Sequence, residues 1–141
     1  MKRSSIITFI AIAALAIAAA CTKSTNNAST GKPIASTAIN NLTATLSNNT
    51  GQLKQGDQEV MLAFTDASGK AVDVGAVSLN FHMDQMGTMM AMNDATTFTT
   101  SGTPGMYHGK VNVEVAGEWQ GQLAYEGPAG SGKVTFTVTA R

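Results

Sequence analysis

The stretch AVSLNFHM, Ala76–Met83, decides the fold class. Val77, Leu79, Phe81 and Met83 fall on one side of an extended chain, and Ser78, Asn80 and His82 on the other. A period of two marks a strand with one face in a core and the other in water. The same alternation continues in both directions. LTATL (42–46) places Leu42, Ala44 and Leu46 together, and VMLAF (60–64) is a more continuous apolar run leading into the turn DASGK. Downstream, TTFTT (96–100) is short and is expected at a sheet edge. YHGKVNVEV (107–115) sets Tyr107, Val111, Val113 and Val115 against His108, Lys110, Asn112 and Glu114. WQGQLAY aligns Trp119, Leu123 and Tyr125, and KVTFTVT aligns Val134, Phe136 and Val138. Tight turns at Gly117 and in EGPAGSG separate them. No amphipathic helix interrupts the series. The expected fold is all-β, an immunoglobulin-like antiparallel β-sandwich of about seven strands. The only cysteine lies far outside it, so the packing rests on Phe64, Phe81, Phe98, Trp119 and Phe136 rather than on a disulfide.

The N-terminal segment has a different character. Lys2 and Arg3 precede a mostly apolar run, Ile6 to Ala20, that ends at Cys21. Fifteen residues are too few to span a bilayer comfortably, and Ala18, Ala19 and Ala20 make a small-residue processing site. The order resembles a bacterial lipoprotein signal, although Ala18 stands where a larger aliphatic residue is usual. Residues 1–20 are therefore expected to be a signal peptide, with Cys21 lipidated and first in the mature chain. Lipidation would consume the only thiol and remove thiolate from the possible metal ligands. Residues 21–40, rich in Ser, Thr, Asn and Ala, are expected to form a flexible tether of roughly 20 Å mean span. Residues 41–141 are expected to form the domain. Localisation follows as the cell envelope, anchored to the membrane by lipid. Thr22, where an aspartate would retain the protein at the inner membrane, points to the periplasmic side of the outer membrane; in a host with one membrane the place is its outer face. Without residues 1–20 the chain has seven Lys plus Arg against nine Asp plus Glu. It carries no basic cluster, which argues against nucleic acid as a partner.

HMDQMGTMMAM, His82–Met92, holds five of the chain's eight methionines. Thioethers are soft, neutral ligands that suit Cu(I), and they persist in oxidising compartments where free thiols do not. Met83, Met86, Met89 and Met92 recur every third residue, a spacing that would align them along a polyproline-like or 3₁₀-like segment. Gly87 argues against a helix. Strand parity turns His82 away from Met83, so the more consistent ligand set is Met86, Met89, Met90 and Met92, joined by His82 or by Met106 and His108 from a later strand. Met61 and Met83, in apolar strand contexts, read as core. Two other readings of the loop stand beside metal binding: apolar filling of the sandwich end, and a methionine surface for a partner protein. His82 and His108 read equally as solvated strand residues. Asp84 and Asp94 flank the methionines without the oxygen-rich spacing that calcium prefers. No cysteine nucleophile, phosphate loop, zinc spacing or Ser/His/Asp elbow is present, so no enzymatic activity is expected.

Three pieces also carry a family resemblance: FTDASGKAVDVGAVSLNFHM (64–83), GMYHGKVNV (105–113) and AGEWQGQL (116–123). In this order they resemble the YtkA-like domains, related in pattern to FixH-like proteins, over roughly Leu46 to Thr139. The resemblance implies a small extracytoplasmic sandwich without enzymatic activity, often in the company of copper-handling or efflux proteins of the envelope. The function expected is binding or transfer of copper, as Cu(I), through the methionine-rich loop. The alternative is a non-metal interaction module of an envelope assembly.

Cys21→Ser should release the protein from membranes or stall its processing, because stable anchoring needs more than one acyl chain. Membrane fractionation checks this, and a variant that sediments with membranes as the original does would end the lipoprotein reading.

Overall fold

A computed structural model describes residues 31–141. The expected signal peptide, Cys21 and the first part of the expected tether lie outside the described residues. Eight strands follow one another: β1 (Lys32–Ile39), β2 (Leu42–Asn48), β3 (Gly56–Thr65), β4 (Ala76–Met83), β5 (Met92–Thr100), β6 (Met106–Val113), β7 (Gly117–Gly127) and β8 (Gly130–Ala140). All neighbours are antiparallel, in the order β1-β2-β3-β6-β5-β4-β7-β8. No helix occurs among the described residues.

Burial follows the alternation read from the sequence. In β6, Tyr107, Gly109, Val111 and Val113 are buried while His108, Lys110 and Asn112 are exposed. An eight-stranded sheet with one apolar face must turn that face upon itself, because no second layer covers it. Ring contacts show that it does. β3 and β7 are four places apart in the sheet, roughly 19 Å if it were flat. Yet the Phe64 and Tyr125 ring centroids stand 5.6 Å apart, edge to face. The two outermost strands also meet: Asn40 Nδ2, just after β1, donates to the Ser131 carbonyl of β8 at 3.0 Å and to the Tyr125 hydroxyl at 2.9 Å. The core enclosed in this way includes Trp119, Phe64 and Phe81, all fully buried. Trp119 keeps its polar atom satisfied by donating Nε1–H to the Val115 carbonyl at 3.0 Å.

Three expectations change. Two sheets were expected, and the strands form one hydrogen-bonded sheet. Its order β2-β3-β6-β5 followed by β4-β7-β8 is that of the ABED and CFG strands of an immunoglobulin-type chain, with β5 paired to β4 where two sheets would part. Second, the part of the tether from Lys32 to Ile39 is strand β1, paired with β2 through a two-residue turn at Asn40 and Asn41. Asn40 takes φ 55°, a left-handed conformation that asparagine tolerates better than most residues. Third, the strand around TTFTT is longer, begins at Met92 and lies in the middle of the sheet, between β6 and β4.

One packing device appears twice. Gly121 of β7 lies directly opposite Phe136 of β8, and Gly109 of β6 opposite Phe98 of β5. In each pair the phenyl ring occupies the space where the glycine's Cβ would stand. The ring covers the glycine's backbone and replaces the side chain it lacks. Gly121→Ala should therefore push Phe136 out of its seat and cost about 1–3 kcal/mol, as overpacking does. A urea unfolding midpoint measures the loss, and the outward Thr137→Ala on β8 should stay within about 0.5 kcal/mol of the parent.

A methionine hairpin as the candidate functional site

β4 and β5 pair from Ser78–Thr97 to Met83–Met92. Beyond this the two chains run on as a narrow hairpin. Met86 and Met89 bridge each other, with Met86 N–H to the Met89 carbonyl at 3.2 Å and Met89 N–H to the Met86 carbonyl at 2.9 Å. Gly87 and Thr88 make the turn. Gly87 has φ 58° whereas Thr88 is not among the residues with positive φ, the pattern of a type II′ turn with glycine first. The threefold spacing of the methionines is therefore the signature of a hairpin and not of a polyproline-like or 3₁₀-like segment: Met83 faces Met92 across its neck, and Met86 faces Met89 across its tip.

This geometry separates the five methionines. Met83 is buried, and Met92 is half-buried against the core. Both pack. Met86, Met89 and Met90 are exposed by 57%, 43% and 81%, and they are the exposed large hydrophobic side chains of the described residues. Met90 buries little apolar surface, and Met86 and Met89 each leave about half of theirs in water. Met86 and Met89, directly opposite in an antiparallel pair, have Cβ atoms about 4.5–5.5 Å apart on one side of the hairpin, close enough for two flexible thioethers to reach one ion.

His82 lies on the outer face of β4, four residues before Met86 and so about 13 Å along an extended chain. Both its ring nitrogens are engaged. Nδ1 is 2.8 Å from Asn93 Oδ1, and Nε2 is 2.9 Å from Asp84 Oδ1. Asn80 Nδ2 donates to the same Asn93 oxygen at 3.3 Å and to Gln122 Oε1 at 3.2 Å, while Gln120 Nε2 reaches Asp84 Oδ2 at 3.4 Å. These side chains knit β5, β4 and β7 together below the hairpin. The sequence contains a signal for part of this: reading MGTM as a two-residue turn sets the register, and that register puts His82 opposite Asn93.

Met106 and His108 do not join the hairpin. His108 pairs with Thr99 on β5, seven residues from Met92, or about 23 Å along the strand. They sit toward the opposite end of the sheet. Asp84 and Asp94 also diverge: Asp84 serves His82 and Gln120, whereas Asp94 Oδ2 accepts the Asn112 backbone N–H at 2.8 Å, beyond the last β5–β6 ladder pair. Among the described residues no three His, Cys, Asp or Glu side chains converge as a cation site. The soft donors that the hairpin tip offers are thioethers.

The fold and this hairpin define an all-β domain with exposed methionine side chains displayed at one end. A family model described as YtkA-like matches residues 36–124, from within β1 to within β7, and the chain belongs to the YtkA-like family. No curated protein and no solved structure matches the chain.

The contacts to Asn93 and then Asp84 raise the His82 pKa above its ordinary 6.5 by favouring the imidazolium. Because the folded value is the higher one, the stabilisation is full below about 6.5 and is lost as pH rises through the raised value. An NMR titration should place the His82 midpoint above the ordinary value, and Asn93→Ala should lower it.

Proposed function

We propose that this protein is a lipid-anchored, extracytoplasmic domain that binds or passes on copper as Cu(I) through Met86, Met89 and Met90. One observation carries the reading. Among the described residues the large hydrophobic side chains left exposed are all methionines, gathered within five residues at the tip of one hairpin, while the leucines, Trp119, Phe64 and Phe81 are buried and Phe98 and Phe136 half-buried. Thioethers bind a soft monovalent cation without losing a proton, and a tip held clear of the core can exchange its ion with another protein. Cys21 would tether the domain at the envelope, on the periplasmic side of an outer membrane where one exists, beside copper-handling or efflux proteins. The proposed role is carriage without catalysis. A non-metal contact with a partner protein is the second reading, favoured by the same apolar exposure.

Replacing Met86, Met89 and Met90 together by leucine keeps the volume and apolarity of the tip and removes its sulfur. Competition with a cuprous chelator should show the loss of one Cu(I) equivalent, while folding stability stays within about 0.5 kcal/mol because the side chains are exposed. A variant that holds as many equivalents as the original would show that these methionines are not ligands. If neither protein binds Cu(I), the interaction module becomes the better account.

A further inference from the structure

The sheet assembles a second set of soft donors that chain order keeps apart. Met61 of β3 lies directly opposite His108 of β6, and Met106 stands two residues before His108 on the same strand. Alternation puts all three on the outer face, since Val60, Leu62 and Tyr107 are buried between them; Met61, expected in the core from its apolar context, therefore lies outside it. Directly opposed residues have Cβ atoms about 4.5–5.5 Å apart, and diagonal ones about 7–8 Å. Met61 and Met106 are half-buried and His108 is exposed. The two histidines also differ. His82 has both ring nitrogens hydrogen-bonded, whereas the His108 ring makes no side-chain hydrogen bond among the described residues.

We propose that Met61, Met106 and His108 form a second site for a soft monovalent cation, separate from the hairpin and at the other end of the sheet. Two thioethers and one neutral imidazole give a set that favours Cu(I) or Ag(I) over zinc, because the sulfur ligands discriminate by softness. The Met61 methyl rests beside Gly31, where an added Cβ would lie 2.8 Å from it. Closing the site therefore turns the Met61 side chain from the β2 side toward His108, a movement that methionine's three rotatable bonds allow. This site does not depend on the hairpin's role.

The test uses Ag(I), a soft cation with no redox chemistry under these conditions, added to the full chain carrying Cys21→Ser and Met86, Met89 and Met90 as leucine. The His108 ring resonances and the Met61 and Met106 methyl resonances should shift together and saturate at one ion. Met61→Leu, Met106→Leu and His108→Ala should each weaken Ag(I) binding at least tenfold, with unchanged circular dichroism as the check on folding. Saturation that leaves any of the three reporters unmoved, or a Met61→Leu variant that binds Ag(I) like its parent, overturns the three-ligand site. Restoring the three hairpin methionines in a His108→Ala background reads the hairpin separately, so failure at one end does not register as failure at the other.

Discussion

The pairing of β4 with β5 is the constraint on which the molecule depends. It is the hydrogen-bonded link between β1-β2-β3-β6-β5 on one side and β4-β7-β8 on the other. Through it, a sheet that could have remained two becomes one, and its apolar face closes over Phe64, Phe81 and Trp119. The same two strands continue past the last regular pair into the methionine hairpin. The strand pair that unites the core thus also aims the tip. Its register is held by burial, because a slip of one residue would expose Phe81 and Met83 and bury Asn80 and His82. The side-chain network of Asn93, Asn80, His82, Asp84, Gln120 and Gln122 reinforces the register from the wet face.

Most of the strands were legible in the sequence because each buries one face, and burial enforces a period of two. AVSLNFHM shows this most plainly, and its bounds are those of β4. β1 was not legible. KPIASTAI is an outermost strand of small and polar residues, of which Ile39 alone is buried, so its composition resembles that of a tether. The signal that could have identified it is Asn40–Asn41, a two-residue turn between two segments of similar length. TTFTT misleads for another reason. Lateral order in a sheet depends on which strands meet over long separations, and a short polar-looking segment can occupy the middle when its neighbours supply the apolar cover.

The methionine cluster shows the same limit at the level of the site. Closeness in sequence suggests a shared ligand set, but an extended chain carries neighbours apart by about 3.3 Å per residue and turns alternate side chains to opposite faces. His82 is thereby directed into a hydrogen-bond network, Met83 into the core and Met92 against it. Conversely, Met61 and His108 are separated by forty-six residues between them and become direct neighbours through the β3–β6 register.

What this separation leaves at the hairpin tip bears on how the proposed site would work. Three thioethers carry no charge and have no proton to lose, so ion uptake there would be uncoupled from pH, unlike uptake by a site that includes a histidine. Neutral ligands also leave the positive charge of a bound ion uncompensated, and exposure at the tip lets water and an incoming partner solvate it. Both features lower the barrier to release. An anchored protein that hands an ion onward needs ligands that select by softness and yield to exchange, and an exposed methionine hairpin satisfies both demands where a buried thiolate site would satisfy the first at the expense of the second.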